Sequence, residues 1–297
     1  MNKNANKRLN GSSGKWWNLL FIAPYLTVFI AMIVVPLVWG LVLSFEKVDL
    51  FGPGRFIGWE NYQRLLGDKI FLQTVWNTFY FVLLTVPILV VLGLLLAIAL
   101  NKQTKLATTL RGIFFASTIL SVTVVTLIWR IIFIPNDGFM ATLFKWLGLE
   151  PIAFLSDPSW SLIAVAIATV WWCLGLPMIL FIASLQQIPK DLYEAAELDN
   201  ASRWTVFRKI TFPAITHTIV LVTIIEIVMQ FQLFGQALLM TNGGPNNTSR
   251  SIVMFIYDTG FRRWDIGLAA AASQILFAII LVAAMAQYFV SRKKENA

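Results

Sequence analysis

Six apolar stretches, each long enough for a helix to cross a bilayer, constrain this chain more than anything else in it. A helix of about 20 mostly apolar residues spans the hydrocarbon core of a membrane. Residues 17–45, 72–100, 108–133, 160–185, 215–240 and 266–290 reach that length. None shows the alternation, with a period of two, that marks a barrel strand. Hydrophobic residues make up 58% of the 297 positions and charged residues only 13%. That balance excludes a soluble cytosolic enzyme and a disordered chain. The first stretch is too long for a signal peptide and no small-residue cleavage site follows it, so a retained helix is expected. The expected fold class is an all-α membrane protein with six transmembrane helices. A single cysteine, Cys173, rules out an intrachain disulfide and a cysteine metal cluster. A single histidine, His217, rules out a His-rich metal or proton-relay site.

Basic residues orient the spans. The N-terminal tail, the second-to-third and fourth-to-fifth connections and the C-terminal tail hold fourteen lysines and arginines. The remaining connections hold eight, against nine acids. Positive charge marks the cytoplasmic face, so both termini are expected inside a bacterial or archaeal plasma membrane. The net charge of +8 then belongs to the inner membrane surface and implies no nucleic acid. The expected organisation is a cytoplasmic tail over 1–16, a membrane domain over 17–291 with a cytoplasmic loop at 188–213, and a second tail over 292–297. On the outer side, residues 46–71 hold five possible turn formers (Gly52, Pro53, Gly54, Gly58, Gly67), an aromatic anchor in Trp59, and a short helix near 60–66. Thr241-Asn242-Gly243-Gly244-Pro245 signals a turn.

The most informative segment is 186–213. Pro189 stands where a helix can start. Leu192, Ala195 and Ala196 follow at i, i+3 and i+4, a shallow apolar face that another surface can approach closely. Asn200 tolerates a left-handed backbone and can end the helix. Ser202 can cap a second helix, with Trp204, Phe207 and Ile210 as its apolar face and Pro213 as its end. The result is a helix–turn–helix on the cytoplasmic face. Such a hairpin either seals the bundle or docks a partner and transmits motion.

The pattern Glu194-Ala195-Ala196, Asn200, Ala201, Phe207, Ile210 and Pro213 resembles the "EAA" coupling loop of importer-type ABC permeases. Thr241-Asn242-Gly243-Gly244-Pro245, Gly267-Leu268-Ala269-Ala270-Ala271, and Ala23-Pro24-Tyr25 with Pro36 ahead of Ser44-Phe45 are similar to the maltose-type sugar permeases. The resemblance runs over nearly the whole chain. Asn200 departs from the family's usual glycine, and asparagine can occupy the same backbone region. The chain resembles the compact six-span members, so no additional N-terminal spans and no large outer domain are expected. The resemblance implies that Glu194, Ala195, Ala196, Asp199, Asn200, Ala201, Phe207 and Pro213 couple this chain to an ATPase, Glu194 pairing with a basic group there. It implies a second homologous permease subunit, two ATPase subunits, an extracytoplasmic solute-binding protein and a carbohydrate substrate. No Gly-x-x-x-x-Gly-Lys-[Ser/Thr] phosphate loop is present. No cofactor is therefore expected on this chain, ATP and Mg belonging to the ATPase subunits.

Within the membrane, span five carries Glu226, Gln230, Gln232 and Gln236. A carboxylate near mid-membrane costs about 2.5–3.5 kcal/mol to insert, so it faces a cavity or a partner. Glu226, Met229, Gln230 and Leu233 lie at i, i+3, i+4 and i+7 on one helical face, which Gln236 and Ala237 extend. A carboxylate and an amide beside a thioether suit a sugar, with its hydroxyls and apolar ring faces. Alternatively Glu226 bonds a neighbouring helix, or serves as the proton site of a secondary transporter. By the resemblance, this stretch of span five, Gly175 and Met178 correspond to sugar contacts, and Thr118 in span three joins them as a candidate. Gly175 with Pro177 equally suits a kinked helix. Trp171 and Trp172 offer stacking or packing surfaces, Trp129 and Arg130 an interfacial anchor, Asn77 a bond between helices, and His217 a structural role. Paired aspartates, a His/Glu metal set and Gly-x-Ser-x-Gly are all missing, which disfavours a membrane enzyme. A non-sugar solute such as glycerol phosphate remains an alternative cargo.

Overall fold

The structure, a computed structural model, describes residues 13–48 and 54–295. Helix α1 (Ser13–Phe29) passes through a π turn at Ile30–Val34 into α2 (Val35–Leu43). A two-stranded antiparallel pair follows, β1 (Glu46–Lys47) and β2 (Arg55–Phe56), with Glu46 opposite Phe56. Then come α3 (Glu60–Gly67), α4 (Lys69–Leu100), α5 (Lys105–Ile119), α6 (Val122–Ile132), α7 (Phe139–Trp146), α8 (Ser161–Cys173), α9 (Gly175–Leu185) and α10 (Lys190–Leu198). α11 (Arg203–Val206) runs through a second π turn, Phe207–Thr211, into α12 (Phe212–Gln230). α13 (Gly235–Thr241), α14 (Ile252–Tyr257), a π turn at Asp258–Arg262 and α15 (Ile266–Glu295) complete the chain. Residues 1–12 and 296–297 of the expected tails, and Gly52 and Pro53 of the outer loop, lie outside the described residues.

Among the described residues, four helices are long and apolar enough to cross a membrane: Phe21–Leu43, Lys69–Leu100, Arg203–Gln230 and Ile266–Phe289. Two further pairs pass the same test only if a bend is allowed. The apolar run at 108–133 does not form one straight helix, because α5 and α6 meet at 104°. Ser121 breaks it. Leu120 is extended, and the Ser121 hydroxyl accepts from the Val124 amide at 3.4 Å, starting a new helix inside the apolar run. The run at 160–185 bends by 41° between α8 and α9. Pro177 supplies the cause, since it has no N–H for the Cys173 carbonyl. The run at 215–240 is interrupted too: α12 ends at Gln230 and α13 starts at Gly235.

Pro213 was expected to end the hairpin's second helix. The helix instead passes through it, so α11, the π turn and α12 form one rod from Arg203 to Gln230. The ring of a helical proline crowds the carbonyl four residues back. For Pro213 that residue is Lys209, and for Pro36 it is Met32; both lie inside π turns, whose wider bore relieves the clash. Pro24 and Pro87 stand in helix interiors without a π turn, so proline alone does not create one.

Three apolar clusters form the core, and the small-residue run at the start of α15 belongs to the packing of one of them. Ala271 and Ala272 are fully buried. Gly267 lies against the β pair, where a Cβ would collide with the Glu46 carbonyl oxygen. Asn61 clamps the same segment, donating to the carbonyls of Ser44 (3.0 Å) and Glu46 (2.9 Å). Arg64 bonds Asp265 at 2.8 Å from the other side. The first span is different: no residue of Phe21–Leu43 is buried. Gly267→Ala should therefore cost roughly 1–3 kcal/mol through overpacking, read as a lower thermal midpoint of the purified protein. Gly112→Ala, where nothing lies within 4 Å of the new Cβ, should leave it unchanged or raise it. Equal midpoints for the two variants would contradict the close approach.

Candidate functional site

A cavity of about 350 Å³ opens where the three helix breaks meet. Its lining is Phe115, Thr118, Trp172, Cys173, Leu176, Glu226, Met229, Gln230 and Gln236. Each of these residues sits on the last or first turns of an interrupted helix: the end of α5, the α8/α9 junction, the end of α12 and the start of α13. The volume suits a small ligand. Backbone groups freed by a break must be satisfied where no water can reach them, and side chains do this here. The Trp172 indole N–H donates to the Leu120 carbonyl at 3.1 Å, just where α5 stops. Gln232 Nε2 donates to the Val228 carbonyl at 3.2 Å, and the Ser251 hydroxyl to the Leu233 carbonyl. The breaks are thus stabilised without filling the space between them.

Glu226 is the most buried polar group of the lining, at 1% exposure. Gln230, one turn on, donates its amide Nε2 to Oε2 at 3.0 Å. That bond comes from the carboxylate's own helix and not from a neighbour. Glu226 and Gln230 together present an acceptor carboxylate and an amide to the cavity, with the Met229 thioether beside them. The Thr118 hydroxyl is turned back to its own helix, on the Phe115 carbonyl at 2.6 Å.

Among the residues singled out in the sequence for the path, the cavity gathers Glu226, Met229, Gln230 and Thr118. Leu233 does not line it: α12 stops at Gln230, so the helical face does not continue to i+7, and Leu233 is buried in the cluster around Phe81 and Trp129. Met178 is fully buried between α9 and its neighbours. Gly175 is a packing position, since a Cβ there would stand 2.5 Å from the Phe114 carbonyl oxygen and 2.9 Å from the Phe115 Cα. Of the two tryptophans, Trp172 lines the cavity while Trp171 turns away to meet Trp129 edge-on at 6.0 Å. Trp129 is buried rather than interfacial, because the bend at Ser121 returns α6 to the core. Arg130 stays exposed and lines a second, open cavity of about 800 Å³ between α6 and α13. Asn77 bonds a loop instead of a helix, donating to the carbonyls of Asn247 (2.7 Å) and Arg250 (3.0 Å). His217 is exposed on α12. Phe115 and Leu176 were not singled out; as apolar residues in apolar runs they carry no signal until the breaks are known. Among the described residues no group of three or more metal-ligating side chains forms.

The segment Lys190–Pro213 has its own geometry. α10 ends in paired turns: the Ala201 amide reaches the Ala196 carbonyl at 2.9 Å and the Asn200 amide the Glu197 carbonyl at 3.0 Å. Asn200 takes φ +50°, the left-handed conformation such an ending needs. The Ser202 hydroxyl then accepts from the Thr205 amide at 3.2 Å and starts the next helix. The Tyr193 and Thr211 hydroxyls, 3.1 Å apart, tie the two helices together. The apolar face expected from Leu192, Ala195 and Ala196 divides. Ala196 is buried against the protein, whereas Leu192, Ala195 and Leu198 are exposed alongside Glu194 and Asp199. Phe207 is half-buried and stacks on Trp204 at 5.7 Å. Ala201 is half-buried and Pro213 exposed.

Comparison with known proteins places this architecture. The profile of the family described as "Binding-protein-dependent transport system inner membrane component" matches residues 62–296. The probable starch degradation products transport system permease protein AmyD of Thermoanaerobacterium thermosulfurigenes is 31% identical over 283 residues, covering 94% of this chain and 95% of the relative. The lactose transport system permease protein LacF of Rhizobium radiobacter is 30% identical, covering 93% and 94%. The arabinooligosaccharides transport system permease protein AraP of Halalkalibacterium halodurans is also 30% identical, covering 92% and 86%. Among solved structures, a bacterial ABC transporter involved in import of the acidic polysaccharide alginate shares the fold, with a TM-score of 0.83 at 23% identity, covering 95% of this chain and 96% of that one. A long helical rod joined to a hairpin, a cavity at helix breaks and these matches agree: the chain belongs to the family of binding-protein-dependent transport system inner membrane components.

Proposed function

We propose that this chain is the permease subunit of an ATP-driven, binding-protein-dependent carbohydrate importer. It supplies half of the path across the membrane; a second permease subunit supplies the other half. Two ATPase subunits bind the hairpin at 188–213 from the cytoplasm, and a solute-binding protein delivers sugar to the outer loops. Both termini lie inside, the bent pairs α5/α6 and α8/α9 each count as one span, and the membrane domain covers 17–291. The sugar-permease relatives and the charge asymmetry of the connections support these assignments.

One observation carries the mechanism. The helix that leaves the hairpin at Arg203 is the helix that ends at Glu226 and Gln230 in the cavity. Its 28 residues span about 42 Å at 1.5 Å per residue. ATP-driven closure of the ATPase pair displaces the docked hairpin, and the rod carries that displacement to the cavity wall. The helix ends at Gln230, where the chain unwinds beside the cavity. Alternating access then follows from one rigid lever and three breaks that can open or shut the cavity. Sugar hydroxyls donate to the Glu226 carboxylate and bond the Gln230 amide, while the apolar ring face meets Met229 and the Trp172 indole. The carboxylate disfavours an anionic cargo.

The burial of Glu226 also favours a second reading, a proton-coupled transporter. Uptake in proteoliposomes separates the two: transport should require ATP and the ATPase subunits and should survive a protonophore, whereas the reverse pattern would establish the second reading. Loss of a hydrogen bond to a charged group costs about 1.5–3 kcal/mol. Glu226→Ala should therefore weaken apparent substrate affinity roughly 10- to 100-fold with insertion intact; unchanged uptake would remove Glu226 from the path. Ala195→Trp and Glu194→Lys, both on the exposed face of α10, should leave the chain inserted yet separate ATP hydrolysis from uptake. Preserved coupling in both would remove the docking role. Ala196 is a poorer test, because it is buried and a bulky replacement would disturb the hairpin itself.

A further inference from the structure

Three helix breaks border the cavity, and one side chain ties two of them together. Trp172 is the penultimate residue of α8, just before the 41° bend into α9. Its indole Nε1–H donates to the Leu120 carbonyl at 3.1 Å, 52 residues back in the chain. Leu120 is the residue on which the α5/α6 break turns. Its backbone is extended, with ψ 142°, so its carbonyl leaves the helical ladder. In a continuous helix the Val124 amide would take that carbonyl. The Ser121 hydroxyl holds the Val124 amide instead, and the indole supplies the missing donor.

The face of the same ring lines the cavity. Among the described lining residues, Trp172 is the one whose side chain bonds a backbone group of another break. The Thr118 hydroxyl and the Gln230 amide bond within their own helices. The surroundings of the ring are tight. Trp171 meets Trp129 of α6 edge-on at 6.0 Å, and a Cβ on Gly175 would stand 2.9 Å from the Phe115 Cα. An indole is rigid and planar. Its N–H lies in the ring plane, whereas an occupant of the cavity meets the ring face. Tilting the face therefore bends the hydrogen bond, and such bonds weaken steeply with angle. The contact continues to the third break. α6 starts at Val122, and a Cβ on Gly235 would stand 2.9 Å from the Val122 side chain. Gly235 opens α13, five residues past the end of α12 at Gln230.

We propose that Trp172 is the positioning residue that couples occupancy of the cavity to the α5/α6 break. A sugar stacked on the ring face fixes the indole, and the indole N–H fixes Leu120. Val122 then carries the result to Gly235 and the end of the rod. The inference rests on the reading of this cavity as the sugar path and deepens it, because it gives the path a sensor for cargo in place. Stacking needs only an aromatic ring, and the break needs a donor. Tryptophan joins the two in one rigid group; phenylalanine keeps the first and loses the second.

Hydrogen exchange of the assembled transporter in nanodiscs reads the break directly, through peptides covering 115–125. Without sugar, Trp172→Phe should speed exchange there roughly 3- to 20-fold, the range for one hydrogen bond between membrane helices. Trp171→Phe, which removes no bond at Leu120, should leave it unchanged. Lactose, maltotriose and arabinotriose serve as sugar probes, with the binding protein present. In the unsubstituted transporter a transported probe should slow exchange at 115–125 and stimulate ATP hydrolysis. Trp172→Phe should keep KM for uptake nearly unchanged while losing most of both responses and of kcat. Trp172→Ala should raise KM as well. Unchanged sugar-free exchange in Trp172→Phe would overturn the proposal. So would faster exchange combined with an undiminished response to sugar, which would make the bond purely architectural. If none of the three probes drives ATP-dependent uptake by the unsubstituted transporter, the importer reading fails, and the sugar-free comparison still decides whether Trp172 holds the break.

Discussion

Backbone polar groups cannot be left bare in hydrocarbon, and the whole architecture answers to that constraint. Unbroken helices meet it automatically. A cavity between helices requires an exception, because a tightly wound bundle of straight rods leaves only small gaps. Here the exception is made three times in one place. The apolar runs at 108–133, 160–185 and 215–240 each come apart beside the cavity, and carbonyls at two of the breaks are taken up by Trp172 and Ser251, with Gln232 covering Val228. The breaks make the space, and the polar side chains make the breaks affordable. A carboxylate is then tolerated at Glu226 because it faces its own Gln230 and the cavity rather than lipid.

The same logic explains why one helix is kept whole. Arg203–Gln230 contains a proline that would ordinarily stop or sharply kink it. The π turn at Phe207–Thr211 absorbs the clash, so the rod continues. A continuous rod transmits displacement; a break dissipates it. The intact stretch lies between the hairpin and the cavity, and the chain unwinds only after Gln230, beside the cavity.

Away from the cavity, the loops and short elements beside α3, α13 and α14 are heavily cross-bonded. Asn77 holds the loop after α13 through two carbonyls, and the Thr78 hydroxyl accepts from the Ile252 amide. Asn61 and Gly267 lock the β pair against α15. The first span joins this frame without burying a residue, in contrast to α4, which threads through all three apolar clusters.

Length and hydropathy were enough to reveal the apolar runs, since a membrane helix is defined by apolar residues in sequence and needs no long-range contact to be recognised. The hairpin's turn was equally legible. Asn200 and Ser202 act through their own backbone neighbourhood, and the left-handed residue and the cap both formed where their chemistry required. That Glu226 and Gln230 face a cavity could also be read, because a carboxylate in an apolar run is costly wherever it meets lipid. What the sequence could not decide was where the apolar runs break. Ser121 and Pro177 are ordinary residues in a membrane helix until packing makes a bend favourable, and Pro213 looked like a stop until the π turn let the helix through. Those choices moved Leu233, Met178 and Trp129 into the core and brought Phe115, Trp172, Cys173 and Leu176 to the cavity. Helical periodicity assumes the helix continues; only tertiary contacts determine whether it does.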